Sequence, residues 1–222
     1  MPSIRQFLVI ASACVLAAIP ALAAPTVNGA TGLIEVPTAE ALQYREINVG
    51  LDAGLQPNDS IAYFYKFNMG TFKGWELGAV GGTVPTEGVF INIKYFLMQD
   101  AARYPLSLAI GIERLASTTP SVYLVASKKF KGGFNGHFGF QGTFDSTGID
   151  SSVITGMEYF LNNSLSFLTD LRGERKRYRW NTGVRYYLGD EWAFRFAVRD
   201  ITNATDVRAV YELGFSYSTF IE

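Results

Sequence analysis

Cysteine is almost missing from this sequence: Cys14 is the only one in 222 residues. It lies within residues 7–19, an apolar run of 13 residues that follows Arg5. That run is too short to span a bilayer as a helix, and Ala21-Leu22-Ala23 closes it with a small-x-small pattern. Residues 1–23 therefore read as a secretory signal peptide, with Ala24 as the expected mature start. Ala11 fits a lipoprotein box poorly and the apolar run continues past Cys14, so lipidation is not expected. A mature chain without cysteine has no disulfide, no thiolate metal site and no cysteine nucleophile. Histidine is as scarce, with His137 alone. A barrel hydrolase would need a serine, a histidine and an orienting group. Ser127 and Ser166 are the serines that might approach His137, but spacing gives the idea no support. The chain is read as a non-enzyme, with His137 hydrogen-bonding inside the fold. There is no glycine-rich phosphate loop, zinc spacing or paired-carboxylate signature, so no metal or cofactor is expected. A formal net charge of −1 provides no basic field for nucleic acid. After residue 23 no run of 18 apolar residues occurs, so no transmembrane helix is encoded.

What is present is glycine, aromatics and alternation. The sequence holds 22 Gly, 17 Phe and 12 Tyr, a mixture that favours strands and tight turns. Period-2 patterns recur from Ile47, Val49, Leu51 and Ala53 through to Tyr211, Leu213, Phe215 and Tyr217. The segment around Val122, Leu124 and Ala126 is the weakest. Twelve such segments of roughly 8–12 residues match the length of tilted bilayer-crossing strands. A soluble sandwich would alternate too. Two features favour the membrane: the polar phase carries mid-strand charges, and the other phase is large and aromatic with no helix to cover it. Residues 44–222 are thus expected to form an all-β, closed antiparallel transmembrane β-barrel of about twelve strands, within a range of ten to fourteen, with short turns on both sides. Tyr44, Trp75, Tyr95, Tyr104, Tyr159, Tyr178, Trp192 and Tyr217 fall near strand ends, where interfacial rings settle. With both termini periplasmic, none of the outward loops is long enough to fold back as a plug. Outer-membrane lipid and the barrel-assembly machinery are the partners this implies, and the cell outer membrane the location.

The polar phase nominates a lumen charge track: Arg179, Arg185, Arg195, Arg199 and Arg208, beside Glu158, Asp170 and Glu212. Glu76, Lys94, Glu113 and Arg172 share the phase. Two readings stand. The charges neutralise one another as an internal salt-bridge network, or the arginines guide anionic solutes such as acidic sugars.

Residues 24–43 do not alternate and read as a periplasmic pre-strand segment, entering or closing the periplasmic mouth or anchoring the barrel seam. Thr38 is placed to cap a short helical turn through Ala39 to Gln43. The stretch Gly29-Ala30-Thr31-Gly32-Leu33-Ile34-Glu35-Val36-Pro37-Thr38-Ala39 resembles the opening of the YjbH family of bacterial outer-membrane proteins, linked to exopolysaccharide production. Its motif positions here are Gly29, Thr31, Gly32, Leu33, Pro37 and Thr38. Phe194-Arg195-Phe196-Ala197-Val198-Arg199-Asp200 is similar to late strands of outer-membrane barrels. The resemblance implies a non-enzymatic barrel in exopolysaccharide export or envelope organisation, with an anionic polysaccharide or periplasmic export proteins as partners. The alternative from the residues alone is a small, porin-like general diffusion channel. A barrel lipid hydrolase ranks behind both.

Overall fold

The computed structural model describes residues 24–56, 60–83, 88–99, 105–174, 177–204 and 209–222; the signal-peptide reading of residues 1–23 lies outside them. Twelve strands follow in chain order: β1 Glu46–Leu55, β2 Ile61–Phe72, β3 Trp75–Gly82, β4 Phe90–Met98, β5 Ser107–Glu113, β6 Ser121–Lys129, β7 Phe134–Asp145, β8 Gly148–Phe160, β9 Leu165–Glu174, β10 Arg177–Leu188, β11 Trp192–Arg199 and β12 Val210–Phe220. Each pairs antiparallel with its sequence neighbours, and β1 closes on β12. The closing register runs from Glu46 opposite Phe220 to Leu55 opposite Tyr211. This is the closed twelve-stranded antiparallel barrel that the alternation implies. Closure leaves no sheet edge, so every strand has a backbone partner on both sides.

The alternation sorts cleanly onto two faces. Leu51 stands beside Tyr65 and Phe215 in register, and all three point outward. One position on, Asp52 lies between Phe64 and Gly214 and is buried inside. Around the wall Tyr63, Leu124, Phe138, Phe140, Trp180 and Phe196 are exposed, while Asn68, Glu76, Lys94, Glu113, Asp170, Asn181 and Arg195 are buried. The short segment around Val122 is a full strand, β6. Trp75 packs on Tyr95 at 4.6 Å, and Trp192 on Tyr217 at 4.4 Å, between ring centroids. Both pairs lie toward the end of the barrel where β1 begins and β12 finishes, called the near end below. Tyr104 lies outside the described residues.

The pre-strand segment goes further than the mouth. Residues 24–43 enter the lumen from the near end, turn inside it and return to β1. Val27, Leu33, Ile34, Val36 and Ala39 are buried to within a few per cent. No helical turn forms after Thr38. The amides it would need are taken by the wall instead: Ala39 N–H donates to Ser127 Oγ at 2.8 Å and Leu42 N–H to Glu76 at 3.2 Å. Among the described residues, it is this segment that fills the lumen.

An uncovered apolar exterior implies a sign for substitutions there. Phe140, near the middle of β7 and 57% exposed, should tolerate Leu. Phe140→Arg should cost roughly 2–4 kcal/mol in a bilayer. The check is unfolding of the barrel in lipid vesicles, followed by its heat-sensitive gel mobility. Equal stability of the Arg and Leu variants would contradict a lipid-facing position.

Candidate functional site

The site is the lumen and its occupant. The occupant first folds on itself. Val27 N–H donates to Ile34 O at 2.8 Å, Gly32 N–H to Ala24 O at 2.9 Å and Leu33 N–H to Val36 O at 2.9 Å. Residues 25 and 31, and 32 and 37, form isolated antiparallel bridges. The motif glycines serve this compact double turn. Gly29 has φ +103°, open to glycine at little cost. A Cβ on Gly32 would collide with Val36 O and with Thr26. Pro37 closes the second bridge with no amide to leave unpaired. On the wall, Gly70 and Gly156 leave room for the plug: a Cβ at Gly70 would strike Gln43 O, and one at Gly156 the Leu33 side chain.

Apolar contact supplies one part of the docking. Val36 and Ala39 join Ala109, Tyr123, Val125 and Ile154 in one cluster. Val27, Leu33 and Ile34 join Leu168 and Ala197 in a second. Each buried aliphatic of this size contributes about 1.5–3 kcal/mol.

Polar matching supplies the other. Carboxylates of the wall take the plug's donors. The amides of Ile34, Glu35 and Val36 converge on Asp170 Oδ2 at 2.9, 2.8 and 3.0 Å, while Asn181 holds Oδ1 at 2.7 Å. Glu76 accepts from Thr31 N–H at 2.9 Å and from its hydroxyl at 2.7 Å. Basic side chains on neighbouring strands take the plug's carbonyls. Arg185 donates to the carbonyls of Gly32 and Leu33, both at 2.9 Å, and Arg195 to those of Pro25 at 2.8 Å and Leu33 at 3.1 Å. Lys94 donates to Thr31 O at 2.9 Å and bonds the Thr31 hydroxyl. Further up, the single carboxylate at the tip of the plug, Glu35, sits between Arg179, at 2.9 and 3.1 Å, and Arg199, at 2.9 Å. Burial alone would raise the Glu35 pKa. Arg179, then Arg199 and Arg172, outweigh it and hold the group at about 2. The ionised form therefore contributes fully above the ordinary value of 4.5, and its contribution is lost only as pH falls through about 2.

The remaining track residues act as second partners. Glu212 accepts from Arg195 at 2.9 Å and pairs with Arg199 at 3.0 Å. Asp52 pairs with Arg195 at 2.9 Å and with Lys66. Glu158 accepts from Ser166 at 2.7 Å and Tyr187 at 3.0 Å, with Arg185 at 3.6 Å. Arg208 lies outside the described residues. Thr38 contributes its amide, to Thr31 O at 3.2 Å.

Sequence reasoning placed the four described arginines on the inner face but missed their chief partner. Glu35 was the signal: one carboxylate inside Leu33-Ile34-Glu35-Val36 has no reason to be buried unless cations await it. The structure also joins two residues that spacing did not. Ser127 Oγ lies 2.7 Å from His137 Nδ1. Ser127 already accepts the Ala39 amide, so the pair sits under the plug as an anchor. Ser166 is engaged with Glu158 instead.

No known family model and no curated protein sequence matches this chain. Solved structures do. The KdgM porin in complex with disordered oligogalacturonate superposes with a TM-score of 0.61 at 11% identity, covering 78% of this chain and 99% of that one. The COG4313 outer membrane channel from Pseudomonas putida F1 gives 0.51 at 9%, covering 85% and 100%. The NanC porin gives 0.50 at 13%, covering 78% and 98%. The barrel is therefore similar in fold to outer-membrane porins and channels.

The amide triad sets a test of the plug. Asp170→Ala leaves four buried donors unpaired, the three amides and Asn181 Nδ2, at about 1–3 kcal/mol each, partly relieved by water entering. Protease cleavage within residues 24–43 of the folded barrel should rise at least tenfold, with the strands still protected. Unchanged protection would mean that Asp170 does not hold the segment.

Proposed function

We propose that this chain is an outer-membrane, porin-like channel for small anionic solutes, held closed by its own residues 24–43. One observation carries the reading. The lumen is occupied by a segment docked into it and not by the walls meeting, since every substantial strand–strand contact is between sheet neighbours. Arg185 and Arg195 grip neutral carbonyls of that segment. With the segment withdrawn, an arginine-lined path would face any passing anion. The reading of residues 1–23 as a signal peptide, the uncovered apolar exterior and the likeness to porins support an outer-membrane setting. The KdgM porin solved with oligogalacturonate, an oligomer of a sugar acid, supports the solute class by fold analogy alone. No step in this function requires covalent chemistry.

The test is ion current across planar bilayers. The intact barrel should be closed for most of the recording. A chain lacking residues 24–43 should conduct steadily and prefer chloride over potassium, and Arg185→Glu with Arg195→Glu in that chain should reverse the preference. A silent or cation-preferring shortened barrel would defeat the channel reading.

The second reading is participation in exopolysaccharide export. It is favoured by the placement of the YjbH-like stretch, residues 31–39, which forms the tip and returning arm of the plug. Under it, a periplasmic export partner would draw the segment out. Loss of secreted polysaccharide on deleting the gene, restored by the intact chain but not by one cross-linked shut, is the expected result; normal secretion would dismiss it.

A further inference from the structure

We infer that Arg179 and Arg199 form a binding site for a carboxylate-bearing solute, and that Glu35 occupies it as a tethered stand-in. This rests on the channel reading above and adds where the solute first binds.

The cluster lies at the far mouth. Arg172 is two residues from the end of β9, Arg179 two residues into β10, and Arg199 is the last residue of β11. The side chains of Arg172, Arg179 and Arg199 retain 12%, 21% and 13% of their exposure, against 3% for Glu35 beneath them and 3% and 5% for the deeper Arg185 and Arg195. A solute arriving from the far side meets these three guanidiniums before any other cation of the plug's binding wall. Arg172 also lies 3.5 Å from Glu113, and Arg199 3.0 Å from Glu212. One Glu35 oxygen receives both Arg179 and Arg199 at 2.9 Å, and the other receives Arg179 at 3.1 Å. A free carboxylate offers the same two acceptors, so it can take the place of Glu35 with no change in the arginines.

Competition follows. Glu35 is held at high local concentration by the docked segment, so a solute carboxylate must outcompete a tethered one. Where it succeeds, it removes the tip contact of the plug, and solute arrival is coupled to opening. A neutral sugar has no such lever.

The experiment titrates the purified barrel in detergent with sodium glucuronate by calorimetry, against glucose and against sodium chloride at matched ionic strength. The intact protein should bind glucuronate weakly. Glu35→Ala should bind it at least about tenfold more tightly, and Arg199→Gln added to Glu35→Ala should abolish the gain. Glucose should show no binding throughout. Glu35→Gln, which keeps the side-chain volume, serves if the alanine variant does not give a heat-modifiable barrel. Glucuronate affinity unchanged by removing the Glu35 charge, or equal binding of glucose, overturns the site. Binding without ion current keeps the site and defeats the channel; current without binding does the reverse.

Discussion

A twelve-stranded barrel has an interior that must be filled by something other than its own walls. Eight strands enclose a space that inward side chains can close, whereas sixteen or more leave an aqueous channel. Twelve fall between. The inward face here is also charged, and a buried charge without a partner is costly. Those two constraints together require water, a ligand or more chain in the lumen. The structure meets them with residues 24–43, and most other features of the interior follow from that choice.

The plug is matched to the wall by polarity as well as by shape. Its backbone amides meet Asp170, its carbonyls meet Arg185 and Arg195, its hydroxyl meets Glu76 and Lys94, and its single tip carboxylate meets Arg179 and Arg199. Apolar side chains fill the spaces between. Backbone groups serve here as ligands, which is why a segment of modest sequence character is held so closely. Because the strands pair through their own ladder, the wall owes its closure to β1 and β12 and not to the plug. That separation of roles is what allows occupancy of the lumen to change while the barrel persists.

The barrel was readable in the sequence because a period of two is a local signal. Leu51, Asp52 and Ala53 declare their faces without reference to anything distant, and twelve such runs give the strand number. The arginine positions were readable for the same reason. Residues 24–43 were not, because a segment that docks into a lumen needs no period: its order comes from contacts as far apart in sequence as Ile34 and Asp170, or Glu35 and Arg199. Loop length says nothing of such a plug, because it comes from the chain before β1 and not from a loop between strands. The proximity of Ser127 to His137 was hidden likewise, since it depends on the register of β6 with β7 and not on spacing. The glycine-rich inner face was legible as composition, but the role of Gly70 and Gly156 as clearance for the plug emerges only once the plug is in place.

The central claim is that this protein's own residues 24–43 occupy its lumen, and a disulfide tests it most directly. Ala39 N–H meets Ser127 Oγ at 2.8 Å, and cysteines at these two small side chains fall within disulfide reach. In a background lacking Cys14, Ala39→Cys with Ser127→Cys should cross-link within one chain on mild oxidation of membranes. The expected result is a reducible shift in gel mobility of the barrel, complete at low protein density. Failure to cross-link in a barrel that is folded and heat-modifiable would contradict the account, because the segment would then lie outside the lumen.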